Sequence, residues 1–98
     1  MASAVIDETS SGDHDVIAAP GAGRRISVNR FMYVQDADIV VKFLSGSTEK
    51  TGPLKVGANG GINSACAIVC AENEAFVINL SSNAVVGGIV NYSIDHVV

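Results

Sequence analysis

The choice of apolar side chain constrains this sequence most: fourteen Val and nine Ile stand against three Leu. Branching at Cβ costs rotamer freedom in a helix and fits the pleated surface of a sheet. The ten glycines supply the reversals that a set of short strands needs. The expectation is an all-β fold, an antiparallel β-sandwich with jelly-roll or Greek-key connections and about seven strands. Ninety-eight residues are enough for one such domain.

The strands can be placed by alternation. Residues 15–18 form a short strand candidate closed by Pro20 and two glycines. In residues 24–34, Ile26 and Val28 share a face, but the phase breaks at Arg30-Phe31-Met32-Tyr33. Either a bulge or burial of both faces by a second subunit accounts for that break. Ile39, Val41 and Phe43 then point one way, and residues 49–56 carry Lys50, Pro53 and Lys55, the marks of a guarded edge strand. Asn59-Gly60 predicts a type I′ hairpin turn. Residues 62–71, 75–80 and 85–98 complete the set. Phe76, Ile78 and Leu80 face inward with Val77 outward; Val90, Tyr92 and Ile94 are in phase, and Gly87-Gly88 marks a bulge or a close approach.

Charge divides the chain. Only 16% of residues are charged, against roughly 25% in average soluble domains, which suggests a surface partly covered by other subunits. Net charge is −4, and Asp7, Glu8, Asp13 and Asp15 occupy the first fifteen residues without a single Lys or Arg. The six cations all fall between Arg24 and Lys55. Two segments follow: an acidic N-terminal arm over residues 1–14 and a sandwich over 15–98. A stretch like residues 1–14 is either a solvated tail or an arm that lays Val5 and Ile6 on a neighbouring surface. Extended, fifteen residues reach about 50 Å. The acidic arm and basic middle would attract each other within or between subunits.

The same features disfavour several function classes. An acidic balance speaks against nucleic-acid binding, and the longest apolar run, residues 65–71, is too short to span a bilayer. Residues 1–8 have neither a basic n-region nor a long apolar run, so no secretory signal is expected. Cys66 and Cys70 on one strand would lie about 13 Å apart, beyond disulfide reach, and lack the further ligands that zinc needs. Asp95 and His96, adjacent on a strand, point to opposite faces, a poor arrangement for a relay. His14 is read as a solvated residue among carboxylates. No glycine-rich loop fits a phosphate-binding pattern. The expectation is a non-enzyme without metal or cofactor. A carbohydrate-binding module would need aromatic platforms, for which Phe31 and Tyr33 are the candidates.

The segment F-L-S-G-S-x-x-x-T-G-P-L-x-x-x-A-N-G-G, residues 43–61, resembles a group of small β-sandwich proteins encoded among tailed-bacteriophage structural genes. The likeness extends to Asn79-Leu80-Ser81 and Val86-Gly87-Gly88, covering residues 25–92. It departs in the Ala- and Cys-rich stretch after Gly61, where the group carries an aromatic segment, and in the acidic arm, which the group lacks. The resemblance implies a capsid cement or decoration protein, made in the host cytoplasm and carried on the virion. Its implied partners are the major capsid protein and further copies of itself, a trimer before a dimer. A receptor-binding virion module and a neck or tail protein are the alternatives. The residues expected to meet partners are Val5, Ile6, Asp7, Glu8, Asp13 and Asp15 in the arm, with Arg24, Arg25, Arg30, Phe31 and Tyr33 on the crowded basic strand.

Overall fold

The computed structural model describes residues 2–65 and 67–97. Alternating β-branched residues form two antiparallel sheets packed face to face, with nine strands among the described residues. Sheet A runs in the order β1 (Ala2–Glu8), β9 (Val86–His96), β3 (Arg24–Gln35), β6 (Gly61–Ser64), with β7 (Ile68–Val69) also on β3. Sheet B runs β2 (Gly12–Ile17), β8 (Phe76–Leu80), β4 (Val41–Ser45), β5 (Thr48–Glu49). The expected number of strands was about seven; the two extra come from the chain's first residues and from the splitting of residues 62–71 into β6 and β7.

Four aromatic rings fill the space between the sheets. Phe43 of β4 stacks on Phe76 of β8 with centroids 5.3 Å apart, and it meets Phe31 and Tyr33 of β3 at 4.7 and 5.8 Å. Full burial of Phe43 removes a whole aromatic ring from water, a stabilisation of about 2–3 kcal/mol. Around these rings pack Ile6, Ile26, Val41, Ile78, Leu80 and Val86. Phe76, Ile78 and Leu80 face inward as the alternation requires. Val77 points outward yet is buried, because Leu44 stands directly opposite it on β4 and is buried too.

The phase break in β3 is a bulge. Val28 pairs with Tyr92 and Arg30 with Asn91, leaving Asn29 as the extra residue. That single insertion lets Ile26, Val28, Phe31 and Tyr33 all face the core. At Gly88 the need is closeness: a Cβ there would lie 2.0 Å from the Met32 carbonyl oxygen, so only glycine lets β9 approach β3.

Three expectations are corrected. The acidic N-terminal segment does not extend away as an arm. Residues 2–8 pair with β9 in continuous register, Ala2 with Tyr92 through Glu8 with Val86, and residues 12–17 join sheet B beside β8. Ile6 is a core residue, lying opposite Gly88, which has no side chain to compete for the space. Residues 49–56 are not a full edge strand: only Thr48 and Glu49 pair with β4, with an isolated bridge from Leu54 to Val41. Asn59-Gly60 is not a hairpin turn. Its flanking strands belong to different sheets, and of the two residues only Asn59 has positive φ. Instead, Asn59 N–H donates to the Gln35 carbonyl at 2.7 Å and Gln35 N–H to the Gly60 carbonyl at 2.9 Å, fastening the crossover to the end of β3.

Candidate interaction surface

Because side chains alternate along a strand, sheet A has an outer face of its own, read row by row from the register. Val5 of β1 stands opposite Ile89 of β9, which stands opposite Met32 of β3. One row further, Asp7 faces Gly87, and Gly87 faces Val34. Val5 is 71% exposed, Val34 51%, and Met32 and Ile89 40% each. Glycine at position 87 leaves nothing to cover these side chains, so they form a flat apolar band across three strands. In the opposite direction the face becomes polar, with Ser3, Asn91 and Arg30 in one row and Arg25 opposite Asp95 near the sheet's end.

Sheet A thus brings together Val5, Asp7, Arg25 and Arg30 of the residues expected to bind partners. The rest are elsewhere. Phe31 and Tyr33 point into the core, which removes them from any surface and removes the aromatic platform a sugar would need. Asp13 and Asp15 lie on the outside of sheet B, where Asp13 accepts a hydrogen bond from the Asn79 amide at 2.7 Å. Glu8 closes the corner between β1 and β2: its carboxylate is 3.4 Å from His14 Nδ1, while His14 Nε2 is 2.7 Å from the Ser10 carbonyl. His14 is therefore a half-buried corner clasp, not a solvated residue. Arg24 begins β3 opposite His96, and its carbonyl accepts the Asn73 N–H at 2.8 Å. Among the described residues Lys42 pairs with Glu49 and the Glu8 carboxylate meets His14, so the expected attraction between acidic start and basic middle is not what holds residues 2–17 in place. Backbone pairing and the burial of Ile6 do that.

Sequence reasoning missed Met32, Val34 and Ile89 as surface residues. Their signal was present: once Asn29 is counted as a bulge, Met32 and Val34 fall on the outward phase of β3, and Ile89 alternates with the inward Val90 on β9.

The interior carries two unusual features. Tyr33 Oη and Gln35 Oε1 are buried without a hydrogen-bond partner. Burial pushes the Tyr33 hydroxyl up to about 12. On the far side of the core, Ser45 Oγ donates to Glu74 Oε1 at 2.7 Å and accepts from the Ala71 N–H at 2.9 Å, closing the turn before β8 onto β4. Burial raises the nearby Cys70 thiol, and the carboxylate of Glu74 adds to it, against the opposing pull of Ser45 and Lys50. The Cys66 half of the expected cysteine pair lies outside the described residues. Among the described residues no pocket opens and no three metal-ligating side chains gather.

No protein-family model matches this chain, and no curated protein does. Among solved structures it is similar to a chain from work described as "Bacillus endospore appendages form a novel family of disulfide-linked pili". That likeness has a TM-score of 0.42 and 18% identity over 99% of this chain and 87% of the other. At that level it carries no argument about function.

Proposed function

We propose that this chain is a structural virion protein of a phage: a jelly-roll sandwich that binds the outside of the capsid as a small homo-oligomer and reinforces it by bridging capsid subunits. The observation that carries the reading is the apolar band Val5–Ile89–Met32 with Val34, a flat exposed face suited to another flat surface. The resemblance of residues 43–61 supplies the kind of surface, a shell built from the major capsid protein. The strand orders β1-β9-β3-β6 and β2-β8-β4-β5 support the jelly-roll form of the sandwich over other Greek-key connections. Many weak copies on a repeating lattice hold more tightly than any one contact, so no deep pocket, metal or cofactor is required.

The carbohydrate-binding alternative is not favoured, since the rings of Phe31, Tyr33, Phe43 and Phe76 are all spent on the core. A neck or tail role differs from a shell role in stoichiometry. Quantitative mass spectrometry of purified particles tests the proposal: a copy number of the same order as the major capsid protein supports it. A copy number fit for a single ring at one vertex moves the protein to the neck or tail, and absence from particles overturns the reading. The face is tested by co-sedimentation with stripped capsids, where Met32→Lys combined with Ile89→Lys should abolish attachment without unfolding the chain.

A further inference from the structure

A sandwich of two open sheets has four edges, and here they differ. The β5 edge is two residues long and is followed by Lys50, Pro53 and Lys55, features that discourage strand addition. The far edge of sheet A is broken, with β6 and β7 pairing to β3 in two short pieces on either side of the bulge at Asn29. On the β2 edge stand Asp13, His14 and Asp15, and the register slips between Asp15 and Ile17. By contrast β1 runs seven residues in unbroken register on β9 and has no Lys, Pro or bulge along it. Its outer side, a row of backbone donors and acceptors, meets no strand among the described residues.

The sequence of β1 also fits itself. Its midpoint is Val5. An antiparallel copy laid along its full length sets Val5 against Val5, Ala4 against Ile6, Ser3 against Asp7 and Ala2 against Glu8. Each carboxylate then meets a hydroxyl or a methyl group and never another carboxylate. The two Asp7 side chains end up about 14 Å apart, beyond the Debye length at physiological salt. On the outer face, the Val5–Ile89–Met32 rows of the two copies would line up end to end as one band.

We propose that β1 is a pairing edge for a second copy of this chain, giving a two-fold dimer in which sheet A continues from one protomer into the other. This deepens the assembly reading above and rests on it for self-association, not for the identity of the shell. It selects the dimer over the trimer, because antiparallel pairing about one residue is a two-fold operation and closes after two copies. Pairing stays confined to sheet A, since Asp13 and Asp15 of the two β2 strands would repel across the same axis. For that reason added salt should tighten the dimer.

Sedimentation velocity on the full chain over a concentration series tests this. The expected result is a monomer–dimer equilibrium that goes no further. Val5→Lys places two ammonium groups against each other at the axis and should weaken the dimer by about tenfold or more, as should Val5→Glu. Mixing the two variants should restore a heterodimer, while unchanged circular dichroism shows that each still folds. The proposal is overturned by a monomer at every concentration, by species growing past the dimer as head-to-tail addition of β1 to β6 would give, or by charge variants that associate as the parent does. Loss of capsid binding with the dimer intact would sink the shell reading alone.

Discussion

The two outward faces of this sandwich come from the same alternation of side chains and have opposite characters. On sheet B two polar pairs form within the chain: Lys42 Nζ sits 3.0 Å from the Glu49 carboxylate, and Asn79 holds Asp13. The two apolar residues on that face, Leu44 and Val77, cover each other. On sheet A the central rows are Val5, Ile89, Met32 and Val34, left in water beside glycines. One face covers its apolar side chains within the chain, and the other leaves them exposed. That difference is why the proposed binding surface is the outer face of sheet A, in a molecule with no pocket among its described residues.

Substitutions can break or sharpen that contrast. The largest effect is expected at the shared core. Phe43→Ala removes the ring that touches Phe31, Tyr33 and Phe76, and should cost about 3–5 kcal/mol in chemical denaturation, disrupting both faces together. Gly88→Ala acts on one sheet. Its methyl group would strike the Met32 carbonyl and force β9 from β3, with an expected cost of about 1–3 kcal/mol. Residue-resolved amide exchange should then rise across β1, β3 and β9 more than in β4 and β8.

Tyr33→Phe should go the other way. Deleting a buried hydroxyl that has no partner should raise stability by about 1 kcal/mol at neutral pH. It should also change the alkaline limb. Between the ordinary tyrosine value of about 10 and the folded value of about 12, the unfolded chain releases the Tyr33 proton while the folded chain keeps it. Parent stability therefore falls as pH rises through that window. The Phe variant should lose that part of the slope in denaturation curves measured at several pH values. The smallest effect on stability comes from Met32→Lys on sheet A and Lys42→Ala on sheet B, each within about 0.5 kcal/mol in thermal melts. Co-sedimentation with stripped capsids should separate them under the proposed shell reading: the first weakens attachment and the second leaves it unchanged.

Much of the fold was legible because alternation reports which side of a strand is buried. Phe76, Ile78 and Leu80, the buried Val90 of β9 and the phase break before Phe31 all follow from that period, whereas Ile94, in phase with Val90, is exposed. What alternation does not report is the partner strand. Asn59-Gly60 has hairpin chemistry, but the strands around it go to different sheets, and its backbone groups bind the end of β3 instead. Composition misled at the N-terminus for a related reason. Asp7 and Glu8 make the segment read as solvated, yet Ala4 and Ile6, two apart, suffice to hold a strand when a glycine stands opposite Ile6. The apolar band stayed hidden because it depends on register between three strands far apart in sequence. Its members are ordinary Val, Ile and Met, which on their own announce only core.

The central contrast is tested most directly by residue-resolved hydrogen exchange on the intact chain, compared between dilute and concentrated samples. The expected result is slowed exchange on association at amides of residues 2–8 on the open edge of sheet A, with residues 48–55 at the guarded edge of sheet B unchanged. Slowing at residues 48–55, or no concentration-dependent change along residues 2–8, would contradict the assignment of β1 as the open edge of the sandwich.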